Sequence, residues 1–141
     1  MNPVREQILK ASVDKSFHGK IHPVHLSALE QNRFCGDEIQ VYFQINNGLI
    51  ENLSAEVRGC LIVHASWNLL AGSLRGKTLR EGHLLCRDLL LHLKEQNSST
   101  ALQNTLSVLE AYRAPHARNS CASLPAMAAL KALRDLSQSP L

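Results

Sequence analysis

Hydrophobic and polar residues alternate strictly over residues 38–45 (EIQVYFQI), so that every second side chain is apolar. This period of two is typical of a strand that is buried on one face and solvated on the other. Asn46-Asn47-Gly48 follows, and Asn and Gly readily adopt the positive φ values of a tight turn. Residues 49–58 (LIENLSAEVR) can then return as a second strand. The pattern therefore predicts a β-hairpin over residues 38–58.

Apolar positions recur with a helical period in five other segments of the chain. Thr78 and Glu81 have the spacing of a capping box, in which each side chain accepts a hydrogen bond from the other residue's backbone N–H at the start of a helix. Pro115 and the stretch Asn97-Ser98-Ser99 separate the later helices. The helices are predicted at residues 3–15, 61–74, 79–95, 100–112 and 122–136.

Residues 16–34 lack a clear period. We expect a surface loop there, with a turn of helix at residues 25–30 and room for one further short strand near residues 32–35. The order of one helix, a hairpin and a run of helices indicates an α+β fold, with the helices packed on one face of a small antiparallel sheet. At 141 residues, the simplest arrangement is a single domain over residues 1–141.

The composition narrows the classes of partner and compartment. Hydrophobic residues make up 45% of the chain but aromatic residues only 4%, so the core must be mainly aliphatic. Fifteen basic residues against twelve acidic ones, without concentration on one face, do not predict a nucleic-acid partner. The sequence shows neither an apolar run of membrane-spanning length nor a signal-peptide pattern near its start. We therefore expect a cytoplasmic protein that binds no membrane.

Cysteines in a reducing compartment are more often ligands, nucleophiles or buried apolar residues than disulfides. Cys35 and Asp37 come just before the first hairpin strand, and Cys60 directly follows the second. Because a hairpin returns the end of its second strand to the start of its first, these three residues should lie at the same end of the hairpin. Cys121 lies in the loop that leads into the last helix, and we interpret it as the third thiol of the same site.

Three thiolates and one carboxylate suit a tetrahedral zinc ion. The same donors could hold iron or an iron–sulfur cluster, because soft thiolates bind either metal. Cys60 and Cys121 both lie near predicted helix N-termini, where the helix dipole favours a thiolate. Cys86, by contrast, is surrounded by leucines in HLLCRDLLL, and we interpret it as a core residue.

The histidines add one candidate to this site. His64 follows Cys60 by about one helical turn, which makes it the leading candidate for an additional ligand or for a residue that supports the ligands. A histidine satisfied by contacts in the core is the interpretation that we favour for it.

Several segments around these cysteines are in register with one known family. They are Cys35-Gly36-Asp37, Arg58-Gly59-Cys60, Leu74-Arg75-Gly76-Lys77-Thr78 and Ala117-Arg118-Asn119-Ser120-Cys121-Ala122. Over roughly residues 32–135 the chain resembles the SufU/IscU family, the NifU N-terminal-like iron–sulfur cluster assembly proteins. The long stretch between Cys60 and Cys121, and Arg118 three residues before Cys121, are more similar to SufU than to IscU.

The resemblance to SufU implies a zinc-dependent sulfurtransferase that docks on a PLP-dependent cysteine desulfurase. Cys35 would be the catalytic residue that accepts the persulfide sulfur, and Asp37, Cys60 and Cys121 would hold the metal with it. Arg118 would recognise the partner or stabilise thiolate charge. Apo iron–sulfur proteins are possible further partners.

Two alternatives to an enzymatic role remain open at this point. The chain could be a scaffold that assembles a transient [2Fe–2S] cluster on the same ligands. It could also be a non-catalytic adaptor that a zinc ion merely stiffens, although structural zinc sites are usually richer in cysteine and histidine.

Overall fold

The computed structural model describes residues 2–94 and 104–137. Within them lie four α-helices, three β-strands and one 3-10 helix. The helices are α1 (Pro3–Ser12), α2 (Leu61–Leu74), α3 (Leu79–Lys94) and α4 (Asn119–Ser137), the strands are β1 (Leu26–Gln31), β2 (Glu38–Asn46) and β3 (Leu49–Arg58), and the 3-10 helix is Asn104–Tyr112. This confirms the α+β fold that the sequence predicts.

The hairpin of β2 and β3 forms as predicted. Its antiparallel register pairs Glu38 with Arg58 at one end and Asn46 with Leu49 at the turn. The turn takes positive φ values, 54° at Asn47 and 75° at Gly48, which these two residue types tolerate at little cost. The start of β2 and the end of β3 therefore lie side by side, and the functional candidates of the hairpin share that end.

The third strand lies elsewhere than expected. The short strand predicted near residues 32–35 is wrong, and so is the helical turn predicted at residues 25–30. Instead β1, LSALEQ, pairs antiparallel with β2 in the order β1-β2-β3. Its alanine and leucines favour a helix locally, but pairing with β2 and burial of Ala28 against the core decide the outcome. Residues 33–35 form a turn that precedes β2.

The helices follow the predicted segments closely. Helix α2 covers the predicted residues, and the capping box of α3 forms, with Glu81 N–H donating to Thr78 Oγ1 at 3.0 Å and Thr78 N–H donating to Glu81 Oε1 at 2.9 Å. Helix α4 begins at Asn119, three residues before the prediction, so Cys121 lies in its first turn rather than in a loop. The described part of the segment at 100–112 is 3-10 rather than α-helical. The break predicted at residues 97–99 lies outside the described residues.

The core lies between the sheet and the helices. Ile39, Val41 and Phe43 of β2 are fully buried, and α4 packs against β1 and β2 while also contacting α2 and α3. This places the first turn of α4 within reach of the hairpin end that carries Asp37 and Cys60. None of the described helices combines the length and the apolar character needed to cross a membrane.

Candidate metal centre

Three of the four predicted ligands come together at the open end of the hairpin. The thiol sulfurs of Cys35 and Cys121 and a carboxylate oxygen of Asp37 all lie within 4.8 Å of one another. Cys35 is exposed, whereas Asp37 is 8% and Cys121 2% exposed. The group thus has two buried members and one that is open to an approaching molecule.

The turn that carries Cys35 is held by the buried residue Asn32. The Asn32 backbone N–H donates to the Asp37 carbonyl at 2.8 Å, and the Asn32 carbonyl accepts from Gly36 N–H at 2.8 Å. The Asn32 side-chain oxygen accepts from Phe34 N–H at 3.1 Å. Its amide group donates to Ser120 Oγ at 2.9 Å, which ties the turn to the residue beside Cys121. Asn32 therefore links the turn that carries Cys35 and Asp37 to the first turn of α4, which carries Cys121.

Gly59 allows the end of β3 to approach Asp37. A Cβ atom at Gly59 would lie 3.2 Å from Asp37 Cγ and 3.2 Å from Val63 Cβ, closer than most real Cβ contacts. A side chain at this position would therefore press on a carboxylate of the site. Sequence reasoning did not find the positioning roles of Gly59, Asn32 and Ser120, although all three lie within three residues of a candidate cysteine.

Cys60 lies beside this group rather than within it. It is the N-cap residue of α2 and is partly exposed. Its thiol helps to raise the pKa of the Cys121 thiol, but its sulfur is not part of the set that fits within 4.8 Å. The structure therefore places the fourth predicted ligand beside the group, near Cys121.

The electrostatics of the site centre on Cys121. The pKa of this thiol is raised to about 12, mainly by burial and in addition by the neighbouring Cys60 and Asp37. Arg118 opposes them, because its guanidinium is hydrogen-bonded to Cys121 and lowers the thiol pKa. The same contact, together with the charges of Cys121, Cys60 and Asp37, raises the pKa of Arg118. Arg118 therefore lies close enough to affect the Cys121 thiol, and the role that the family resemblance implies for it stays a prediction.

His64 is placed near the site but outside the group. Its ring stacks on that of His18, with centroids 5.3 Å apart. Burial lowers the pKa of His64, as do the charges of His18 and Lys15, while Asp37 raises it. Its Nδ1 is buried and finds no hydrogen-bond partner within residues 2–94 and 104–137, so His64 is not the satisfied core histidine that we favoured. A role toward the metal stays a prediction.

Cys86 is a core residue, as the sequence indicated. It lies on α3 with no exposed surface, and burial raises the pKa of its thiol to about 12. A thiol of this kind is inert as a nucleophile.

The donors of the site suit a divalent cation. Asp37 Oδ2 is buried and unpartnered in the described part of the chain, and such an atom is costly unless something binds it. Two thiols within 4.8 Å of an Asp37 carboxylate oxygen and a third thiol beside them supply the soft ligands that zinc prefers. The residues present therefore fit a zinc ion, and they also fit thiolate-bound iron.

Comparisons with known proteins identify the family and the fold of this chain. Residues 5–139 match the model of the family described as the NifU-like N terminal domain. The iron–sulfur cluster assembly scaffold protein IscU of Thermotoga maritima is 32% identical over 76 residues, 54% of this chain and 54% of that protein. The chain thus matches about half the length of this curated relative.

Two solved structures have the same fold. One is a candidate iron–sulfur cluster assembly scaffold protein for the SUF system from Fervidobacterium islandicum AW-1, with a TM-score of 0.79, 29% identity and coverage of 91% of this chain and 94% of that one. The other is the N-terminal part of a nitrogen-fixing NifU-like protein from Brucella abortus, with a TM-score of 0.81, 20% identity and coverage of 96% and 94%. Since the family model spans nearly all residues, this chain belongs to the family of NifU-like N-terminal domains.

Proposed function

We propose that this protein acts in iron–sulfur cluster assembly as a zinc-dependent sulfurtransferase, with Cys35 as the residue that accepts sulfur from a PLP-dependent cysteine desulfurase. One observation carries the proposal. An exposed thiol, that of Cys35, lies within 4.8 Å of a buried carboxylate and a buried thiol. Membership of the NifU-like family supports it, as do the relatives named for cluster assembly.

The four proposed ligands fall into two groups that differ in solvent exposure. Asp37, Cys121 and Cys60 are buried or partly buried and would hold zinc throughout, whereas the exposed Cys35 would be the ligand that leaves. Bound zinc would keep the thiols deprotonated at neutral pH. The proposed compartment is the cytoplasm, because the chemistry needs reduced thiols.

The transfer step needs only groups that this chain and its donor supply. The Cys35 thiolate attacks the outer sulfur of the donor's cysteine persulfide, and a new S–S bond forms at Cys35. The donor's S–S bond breaks, and its cysteine departs as a thiolate. The outer sulfur keeps its proton, so charge and atoms balance without an external oxidant. Arg118, whose guanidinium reaches Cys121, offers positive charge beside the reacting thiols.

A second function has a specific observation in its favour. The relatives from Thermotoga maritima and Fervidobacterium islandicum are both named as scaffold proteins. On that reading the same ligands would hold a [2Fe–2S] cluster as cargo, to be passed to apo iron–sulfur proteins. Asp37 as a ligand would make the cluster labile, which suits release.

Metal analysis and turnover assays separate these functions. Freshly purified protein should contain about one zinc per chain and show no visible absorbance, and it should raise the turnover of a cysteine desulfurase. Cys35→Ser should abolish the increase in desulfurase turnover, and mass spectrometry should detect no persulfide on this variant. A brown protein that transfers its cluster to an apo acceptor would favour the scaffold. Zinc without any stimulation by Cys35 would favour the stiffened adaptor.

A further inference from the structure

Phe34 is exposed beyond any other large hydrophobic residue in the described part of the chain. Its side chain is 96% exposed, whereas Leu61, which follows Cys60, is 42% exposed. Both apolar residues adjoin a thiol of the candidate site in the sequence, Phe34 before Cys35 and Leu61 after Cys60. Isolated apolar residues are common on protein surfaces, but these two flank the same reactive centre.

The turn that presents Phe34 is held in place. The Phe34 backbone N–H donates to the Asn32 side chain at 3.1 Å, and Asn32 is anchored in turn on Ser120 at 2.9 Å. Gly36 closes the turn with a φ of +78°, a value that glycine adopts without strain. A partner that binds Phe34 therefore has little backbone to order, and this keeps the entropic cost of binding low.

The position of Phe34 places it close to any protein donor that reaches Cys35. Adjacent Cα atoms are only about 3.8 Å apart, so a macromolecule whose persulfide reaches Cys35 comes within reach of the exposed Phe34. A persulfide on a small molecule could reach the thiol without contacting Phe34. Three exposed arginines, Arg33, Arg58 and Arg118, lie within three residues of a candidate cysteine. They outnumber the acidic residues at this end of the hairpin, Asp37 and Glu38.

We propose that Phe34 is the anchor by which this protein docks on its sulfur donor, entering an apolar pocket that acidic side chains surround. The inference rests on the proposed function and deepens it, because it makes Phe34 the residue that selects a protein donor over low-molecular-weight persulfides. Buried aromatic anchors beside complementary charges are typical of residues that dominate binding at protein interfaces.

The test compares two sulfur donors with one pair of variants. Phe34→Ala is the test variant, and Leu49→Ala is the matched control because Leu49 is also exposed, at 42%, and lies at the opposite, turn end of the hairpin. The donors are a purified cysteine desulfurase with L-cysteine, and glutathione persulfide. Phe34→Ala should raise the KM for transfer from the desulfurase about tenfold to a hundredfold, with kcat retained. Transfer from glutathione persulfide should be unchanged in both variants.

Further measurements distinguish docking from folding and from the chemistry. Phe34→Ala should keep the zinc content and melting temperature of the wild type, and Phe34→Leu should recover much of the lost affinity. An unchanged KM for the desulfurase, while the wild type accepts sulfur, would overturn the docking inference and leave the proposed function intact. The docking inference would also be overturned if sedimentation showed a wild-type dimer that Phe34→Ala dissociates. Phe34 would then contact a second copy of this chain rather than a sulfur donor. A wild type that takes sulfur from neither donor refutes the proposed function and this inference with it.

Discussion

Two cysteines of this protein are buried almost equally and yet differ in chemistry. Cys86 on α3 has no exposed surface, and Cys121 in the first turn of α4 is 2% exposed. The pKa of each thiol is raised to about 12, and burial is the largest cause in both cases. Both thiols belong to the apolar cluster of the core, but Cys60, Asp37 and Arg118 also act on the pKa of Cys121, whereas burial alone acts on the pKa of Cys86. A thiol that is buried among apolar residues only is inert, whereas an equally buried thiol with polar and charged neighbours is a candidate ligand.

The difference also determines what a cation would do at each place. A dication at Cys121 would meet a second thiol and an unpartnered carboxylate oxygen, and its charge would reverse the cost of ionising the thiol. No such group of three lies around Cys86 in the described residues. Substitutions at the two positions should therefore separate metal binding from packing.

The largest effect is expected at Cys121. Cys121→Ala should weaken zinc binding about a hundredfold to a thousandfold, because one of four ligands is lost from a site that binds with roughly 10–16 kcal/mol in comparable cases. Cys86→Ala should keep the wild-type affinity. Competition with a chromophoric chelator measures both. Equal affinities for the two variants would remove Cys121 from the ligand set.

The stability of the fold, in contrast to zinc affinity, should depend on Cys86. Cys86→Ser places a hydroxyl in an apolar environment, and it should lower the free energy of unfolding by about 1–3 kcal/mol. Zinc content should remain that of the wild type. Urea denaturation of the metal-free proteins provides the measurement. A variant as stable as the wild type would show that the surroundings of Cys86 supply a hydrogen-bond partner.

Gly59 tests how closely the ligands must be held. Gly59→Ala adds a Cβ atom 3.2 Å from Asp37 Cγ, and the resulting shift should weaken zinc binding about tenfold, as is common when groups that support ligands are disturbed. Gly72→Ala is the control, because no described atom lies within 4 Å of its added Cβ. That change, inside α2, should leave zinc affinity alone and raise stability by about 0.5–1 kcal/mol. Equal zinc affinities in the two variants would contradict the positioning role.

The smallest effect concerns alkaline pH. For Cys86 the pKa rises from 9.0 to about 12 on folding, so below pH 9 the thiol is neutral in both states and its contribution is complete. Between pH 9 and 12 only the unfolded thiol ionises, and the free energy of unfolding falls, by about 1 kcal/mol at pH 10. Cys86→Ala should reduce this slope in denaturation curves. Cys121→Ala should also reduce this slope in metal-free protein. It should leave the slope unchanged when zinc is bound.

Local patterns explain why the hairpin was predictable. The alternation in β2 and the Asn47-Gly48 turn depend on neighbours a few residues away. Strand β1 was missed because its partner is β2, at pairs such as Leu26 with Phe43, and because LSALEQ favours a helix when it is read alone. Long-range pairing decided the conformation there.

The candidate site also has one part that local sequence patterns predict and one part that depends on long-range contacts. Cys35, Asp37 and Cys60 could be placed together from the geometry of one hairpin, and Cys121 was added from its position before the last helix and from the resemblance to a family. The contributions of Asn32 and Gly59 depend on contacts made only in the folded chain, such as the bond from Asn32 to Ser120 across 88 residues. No local pattern encodes a distance of that length.

The same 88-residue separation has a consequence for how the protein is made. At about 5–20 residues per second, a ribosome delivers Ser120 and Cys121 roughly 4 to 18 seconds after the turn that carries Cys35. Until the last helix emerges and packs, Cys35 and Asp37 lack the Cys121 thiol that completes their group. The group can therefore form only after Cys121 has been synthesised, and a translation product that stops before this residue would lack the complete group.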